Sequence, residues 1–279
     1  MPDRYAVIGH PIAHSKSPFI HGLFAQATGQ DMTYEAIDGG AAPGGFERAV
    51  QAFRAAGGRG LNVTLPFKLA ALQLADEASA DARLAGAANT LVFEGAQAWA
   101  HNTDGLGLVR DIEHNLGTPL AGRRVLLLGA GGATRGVLLP IARAGAARIF
   151  IAHRTADKAH ALARELASHL GGVPLAGGGL DALAGAGAFD VVVNATSASL
   201  SGQAPAVPAS AFAPGALAYD MVYGKGLTPF LTGARAAGCA RVADGLGMLV
   251  EQAAESFALW RGVRPDTRAV RARLAVPLG

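Results

Sequence analysis

Arg123-Arg124-Val125-Leu126-Leu127-Leu128 runs directly into Gly129-Ala130-Gly131-Gly132-Ala133-Thr134-Arg135-Gly136. The first stretch reads as a buried strand. An apolar helical stretch follows the glycines, and Arg148-Ile149-Phe150-Ile151-Ala152 reads as a second strand. Strand, glycine turn, helix and strand is the order a pyrophosphate requires. Glycines allow a tight turn, and bare backbone N–H groups at a helix N-terminus approach the phosphates. Thr134 stands where the third glycine of the usual fingerprint would be. The end of the second strand then selects the dinucleotide. An acidic residue there would accept hydrogen bonds from a ribose 2′-hydroxyl, but the chain reads His153-Arg154-Thr155 with Lys158 close behind. A guanidinium, a hydroxyl and an amine suit a 2′-phosphate, so the reading is NADP rather than NAD.

The loop begins more than a hundred residues into a chain of 279, which leaves room for a separate unit before it. Hydrophobic residues make up 51% and charged residues 16%, a globular composition that excludes disorder. The formal charge of +3 comes without a Lys/Arg run, so nucleic acid is not an expected partner and small anions are. Cys239 is the single cysteine, which excludes an internal disulfide and a thiolate cluster. The N-terminus has no signal-peptide core and no apolar run nears ~20 residues, so a cytoplasmic protein off the membrane is expected.

Ahead of the loop, apolar and turn signals alternate. Tyr5–Ile8, Met32–Ile37 and Leu61–Thr64 read as strands, separated by helices after Ser17-Pro18 and over Gly45–Ala56. Ser17 reads as an N-cap with Pro18 at the first helical position, and a third helix starts near Pro66. Asn89–Phe93 and Ala96–His101 form a hairpin around Glu94-Gly95. Beyond the loop, Asp190–Asn194 and Ala216–Asp220 read as further strands, while Gly171–Gly187 lacks periodicity. Leu246–Trp260 is a helix with Leu249, Val250, Ala253, Phe257 and Trp260 as core candidates. The fold class is α/β in two domains. A mainly parallel α/β unit precedes the loop, a Rossmann-like unit that binds NADP is built around it, and the last helix could fold back onto the first unit.

Polar residues at strand ends and helix starts are the candidates for chemistry. Ser15 and Ser17 flank Lys16 before a helix and could hold a carboxylate, or serve only as turn and cap. Lys68 sits on the first helical turn, where the macrodipole disfavours a cation, so a nearby carboxylate or bound oxygen is expected. Asp104 opens a helix and could be its cap. A Lys–Asp pair also supplies what carbonyl reduction needs, a proton for the alkoxide and a carboxylate to orient it. Gln252 follows Met248 by one turn on an apolar helix, which suits a buried amide with a hydrogen-bonding task. His10 and His14 have Pro11 between them and no carboxylate nearby in sequence, so no metal site is expected.

His10-Pro11-Ile12-Ala13-His14-Ser15-Lys16-Ser17-Pro18 and Asn62-Val63-Thr64-Leu65-Pro66-Phe67-Lys68 resemble the shikimate dehydrogenase family. So do Gly86–Thr90, Asn102–Gly105, Gly129–Ala133, Asn194–Ser197, Asp220–Tyr223 and Ala243–Gln252, in the family's order. The resemblance implies NADPH-dependent, reversible reduction of 3-dehydroshikimate to shikimate, a step toward chorismate and the aromatic amino acids. It makes Lys68 the acid or base and Asp104 its partner. Ser15 and Ser17 would hold the substrate carboxylate with Tyr223 nearby, and Thr64, Lys68, Asn89, Asp104 and Gln252 would surround the ring hydroxyls. Gly129, Ala130, Gly131, Gly132 and Ala133 would cradle the pyrophosphate. His153, Arg154, Thr155 and Lys158 would face the 2′-phosphate, with Met221 and Gly245 near the nicotinamide. The resemblance also joins residues 1–104 and 246–279 in one substrate-binding domain, with an NADP-binding domain of 105–245 inserted between them. It implies a monomer or homodimer with no partner beyond the small substrate. The chain departs from the family at His10 and His153, each in place of asparagine, at Lys158 in place of a second arginine, and at Ser199-Leu200 in place of glycine. The rival readings are a quinate/shikimate dehydrogenase using NAD and a non-catalytic NADP-binding regulator.

Overall fold

A computed structural model describes residues 1–224 and 226–278. Its first elements are β1 (Asp3–Gly9), α1 (Ser17–Thr28), β2 (Met32–Asp38), α2 (Gly45–Ala55), β3 (Gly58–Val63) and α3 (Lys68–Leu74). These are followed by β4 (Glu77–Ala78), α4 (Ala80–Ala85), β5 (Thr90–Glu94), β6 (Gln97–His101) and α5 (Asp104–Arg110). A wider helical turn over Asp111–Asn115 leads to β7 (Arg124–Leu128), α6 (Gly132–Arg143), β8 (Arg148–His153), α7 (Ala156–Leu166) and β9 (Leu175–Gly179). The chain ends with β10 (Phe189–Asn194), β11 (Phe212–Asp220), α8 (Pro229–Ala236), β12 (Arg241–Asp244), α9 (Leu246–Arg261) and α10 (Arg268–Leu274).

The chain divides into two compact units, Met1–Gly107 with Val250–Arg273, and Leu108–Leu249 with the residues from Leu274 on. The tail therefore groups with the second unit, where the Pro277 carbonyl comes against Gly226.

The first unit is a six-stranded sheet in the order β2-β1-β3-β5-β6-β4. β1 pairs in parallel with β2 and β3, while β5 runs antiparallel to both β3 and β6. β1 is buried along Tyr5–Gly9, as expected of a parallel strand covered on both faces. Phe46, Val50 and Phe53 recur at helical spacing on α2 and pack one face against Ile8, Leu61, Val63, Leu91 and Phe93. Burying each such side chain contributes about 1.5–3 kcal/mol. On the aromatic side, Phe24 of α1 meets Phe257 of α9 edge-on at 5.8 Å, and Tyr5 stacks on Trp260 at 4.8 Å.

The second unit is a six-stranded sheet, all parallel, in the order β12-β11-β10-β7-β8-β9. In that unit's own sequence the order is 3-2-1-4-5-6 read from β9, the Rossmann arrangement, whose direction of winding reverses between β7 and β10. Val125–Leu128 and Val191–Val193 are fully buried at that centre. β9, β12, α7 and α8 here, like β4, α4 and α10, go beyond the strands and helices expected from sequence. β9 lies inside Gly171–Gly187 and carries glycines because α7 packs on it. A Cβ at Gly177 would stand 2.3 Å from the Ala159 carbonyl.

Candidate functional site

The parallel and antiparallel pairings of the first sheet bring four chain ends to one edge. β1 and β3 end there, β5 begins there, and β6, parallel to β3 through β5, ends there. The segments leaving or entering at that edge carry Ser15 and Ser17 after β1, Thr64 and Lys68 after β3, Asn89 before β5, and Asp104 after β6. The His10 N–H donates to the Leu65 carbonyl at 3.0 Å and the Thr64 N–H to the Ile8 carbonyl at 2.9 Å, which holds the first two segments side by side.

Lys68 is the first residue of α3, and its Nζ donates to Asp104 Oδ2 at 2.5 Å with both side chains mostly buried. This is the carboxylate expected beside a lysine at a helix N-terminus. Asp104 is not acting as a cap. It is the first residue of α5, and its own N–H donates to Asn102 Oδ1 at 3.1 Å. With Asn102 taking the turn, both Asp104 oxygens are available: Oδ2 to Lys68, and Oδ1 to Asn89 Nδ2 at 2.9 Å. The orientation of the Asn89 amide follows from its partners. The Thr103 N–H can only donate and lies 2.9 Å from Asn89 Oδ1, so Nδ2 faces Asp104. Asn89 Nδ2 also reaches Gln252 Oε1 of α9 at 3.1 Å.

Ser17 departs from its expected role in a similar way. The cap position of α1 is Lys16, no side chain caps the helix, and the Ser17 N–H donates to Ser15 Oγ at 3.3 Å. The Ser17 side chain instead meets the Tyr34 hydroxyl. Sequence reasoning missed the layer beneath the site, where Asn62, Thr90, Thr103 and Ser256 are buried and joined by hydrogen bonds. Asn62 also accepts from the Tyr34 hydroxyl at 2.7 Å, and burial holds that phenol well above the ordinary tyrosine range. A buried asparagine inside a strand was the available signal. His10 departs from expectation as well: its Nδ1 lies 2.7 Å from Asp38 Oδ1 on the exposed end of β2.

In the second unit a cavity of about 680 Å³ sits at the carboxyl ends of β7 and β10. Gly129, Ala130, Gly131, Gly132 and Ala133 line it, together with His153, Arg154, Thr196 and Ser197. Gly129 is required by the chain itself, because its φ is +113° and a Cβ would crowd Thr196 and Ala195. Gly131 and Gly132 are different. A Cβ on either would meet nothing within 4 Å, so packing within the chain does not demand glycine there and the space above the turn is open. Thr134 takes the third glycine's place by donating from Oγ1 to the Gly129 carbonyl at 2.8 Å, fully buried. The donor set suits a dinucleotide phosphate: the N-terminus of α6 behind a glycine turn, and a guanidinium on the lining. Thr155 and Lys158 are exposed and lie outside the lining. The Thr155 N–H donates to His153 Nδ1 at 3.0 Å, and the Lys158 N–H to the Thr155 carbonyl at 3.1 Å, opening α7. Met221 and Gly245 meet, since a Cβ on Gly245 would stand 2.2 Å from the Met221 carbonyl oxygen. Tyr223 is exposed nearby in the chain.

Three family models match the chain in sequence order. The shikimate dehydrogenase substrate binding domain covers residues 7–91, shikimate / quinate 5-dehydrogenase covers 111–202, and the shikimate 5′-dehydrogenase C-terminal domain covers 245–275. Shikimate dehydrogenase (NADP(+)) of Aromatoleum aromaticum is 59% identical over 98% of this chain and 96% of that protein. The crystal structure of an Ael1 enzyme from Pseudomonas putida is 58% identical with a TM-score of 0.93, covering 99% of this chain and all of that one. Shikimate 5-dehydrogenase of Thermus thermophilus, solved with NADP(H) and shikimate, is 35% identical with a TM-score of 0.83 over 97% of each chain. With segments matched in order and likeness of this degree over the whole length, the chain belongs to the shikimate dehydrogenase family of oxidoreductases.

Proposed function

We propose that the chain reversibly reduces 3-dehydroshikimate to shikimate with NADPH, as a cytoplasmic monomer or homodimer on the route to chorismate and the aromatic amino acids. The observation that carries this reading is the Lys68–Asp104 contact at 2.5 Å, with Asn89 on the carboxylate's other oxygen. Bound NADPH supplies the hydride to C3. Lys68, an ammonium with three donors, keeps one on Asp104 and turns another to the carbonyl oxygen. As that oxygen becomes an alkoxide, Lys68 delivers the proton, and in the reverse direction it takes the proton back. Asp104 holds the lysine in place before transfer. Ser15 and Ser17 hold the substrate carboxylate, while Thr64, Asn89 and Gln252 take the ring hydroxyls. Gly129–Ala133 receive the pyrophosphate through the α6 N-terminus, and His153, Arg154, Thr155 and Lys158 face the 2′-phosphate.

A single assay tests the proposal. Absorbance of the reduced nicotinamide is followed with shikimate or quinate, each with NADP or NAD. Turnover of shikimate with NADP well above the other three combinations is expected. Comparable turnover of quinate with NAD would make the chain a quinate/shikimate dehydrogenase, and silence in all four would leave a non-catalytic NADP-binding regulator.

A further inference from the structure

We propose that Ser256 is a positioning residue for the Lys68–Asp104 pair, an inference that rests on the acid–base reading above. Ser256 lies on α9 one turn after Gln252 and is fully buried. A serine in a helix interior commonly satisfies itself on the carbonyl four residues back, and Ser256 Oγ does lie 3.1 Å from the Gln252 carbonyl. Three further contacts set it apart. Asn62 Nδ2 of β3 donates to Ser256 Oγ at 3.0 Å, Thr90 Oγ1 of β5 lies at 2.8 Å, and Thr103 Oγ1 after β6 lies at 3.2 Å. One hydroxyl thus ties α9 to the strand ends that supply the site.

Proton accounting gives the contacts direction. A serine hydroxyl has one proton and two acceptor sites, and an amide nitrogen can only donate. The Gln252 carbonyl can only accept and takes the proton, Asn62 occupies one acceptor site, and the second acceptor site is left to a threonine hydroxyl, Thr90 or Thr103. Thr103 passes that order to the site, because it holds Asn89 from both ends. Its N–H donates to Asn89 Oδ1 at 2.9 Å, and its Oγ1 accepts from Asn89 Nδ2 at 2.9 Å. Asn89 then fixes Asp104 Oδ1, and the residue after Thr103 is Asp104 itself. The path from Ser256 to the carboxylate is two hydrogen-bonded side chains long. The effect of Ser256 on chemistry runs through Thr103 and Asn89.

Removing the hydroxyl takes one partner each from Asn62 and Thr103; Asn62 keeps the Asn89 carbonyl and Thr90, Thr103 keeps the Gln252 carbonyl, and Asn89 beneath the carboxylate is held less firmly. Ser256→Ala is expected to lower kcat about 3- to 10-fold, the scale of one hydrogen bond, with KM for NADP unchanged. A double-mutant cycle separates positioning from mere stability. In an Asp104→Asn background, Ser256→Ala is expected to change the residual kcat less than about twofold, because the group through which it acts is gone. Wild-type kcat in Ser256→Ala, or the same fold-loss in both backgrounds, would overturn the proposal. An alanine variant that does not fold moves the test to Ser256→Cys, which keeps the volume and weakens the hydrogen bonds; wild-type kcat there overturns the proposal equally. Lys68→Ala run alongside separates the two readings. Retained turnover in that variant removes the acid–base reading and Ser256's role with it, whereas lost turnover beside an unaffected Ser256→Ala removes only the role of Ser256.

Discussion

The two units prepare their sites by opposite means. At the edge of the first sheet every chain end contributes a polar side chain, and Lys68, Asp104, Asn89 and Gln252 are already hydrogen-bonded to one another. At the matching edge of the second sheet, the loop from Gly129 to Ala133 offers backbone N–H groups and open space above Gly131 and Gly132. One site is organised by charges and amides that hold each other in place. The other is organised by a turn and by the side chains it lacks. The difference suits the proposed division of labour. A proton-transfer centre gains from rigid dipoles set before the reaction, while a phosphate cradle gains from close approach of backbone. It follows that deleting a side chain should damage turnover in the first unit and cofactor affinity in the second.

Lys68→Ala gives the sharpest version of that contrast. Loss of a positioned proton donor should lower kcat by roughly 10²–10⁴, with NADPH affinity intact. Steady-state kinetics beside a fluorescence titration of NADPH would check it, and near-normal turnover would remove the lysine from the chemistry. Arg154→Ala is the counterpart in the second unit. It should weaken NADPH by about 1.5–3 kcal/mol, the scale of a charged hydrogen bond, and leave NADH use nearly unchanged. Equal losses with both cofactors would mean that Arg154 does not read the 2′-phosphate.

How legible each site was in the sequence follows from the same contrast. The phosphate loop shows itself locally, since strand, glycines, helix and basic strand end lie within one continuous stretch, and the Rossmann order follows from it. The glycine-rich β9 was not legible, because its glycines answer to the tight packing of α7 rather than to any periodic pattern. In the first unit, Lys68 and Asp104 stood out for being at helix starts, but their contact spans 36 residues and depends on sheet pairing. Capping was misread at Ser17, where the sequence shows a residue type suited to the task and not whether a side chain performs it. Lys16 holds the cap position without a side-chain cap, Ser15 accepts only from the Ser17 N–H, and Asn102 accepts from the N–H of Asp104. The layer of Asn62, Thr103 and Ser256 was least legible, because its members come from separate strands and from α9, and each alone is an ordinary small polar residue.

Beside that buried layer the first unit carries a group that makes it sensitive to acid. His21 of α1 is fully buried and stacked on Tyr34 at 4.2 Å. Burial, outweighing the influence of Asn62, pushes its pKa down to about 3. The folded state therefore keeps the ring neutral, while the unfolded chain takes up a proton below about 6.5. More protons bound in the unfolded state means that stability rises with pH across this window and is lost as pH falls from about 6.5 toward 3. By pH 5 the loss from this one group is about 2 kcal/mol. His21→Phe should flatten that limb of the denaturation free energy against pH. A limb of unchanged slope in the variant would assign the acid sensitivity elsewhere.

The smallest expected effect lies in the second unit, at Lys158. It is exposed, outside the cavity lining, and sits on the first turn of α7, where the helix dipole favours an anion near it. A flexible ammonium in water makes a screened point contact, unlike the planar fork of a guanidinium. Lys158→Ala should therefore weaken NADPH by about 0.2–1 kcal/mol and do so less as salt rises, while Arg154→Ala keeps most of its effect. Lys158→Arg should strengthen NADPH if the α7 turn can bring a second fork onto the phosphate. A Lys158→Ala loss as large as that of Arg154→Ala, insensitive to salt, would show that the two residues act as one clamp and that the open face of this site closes on the cofactor's phosphate.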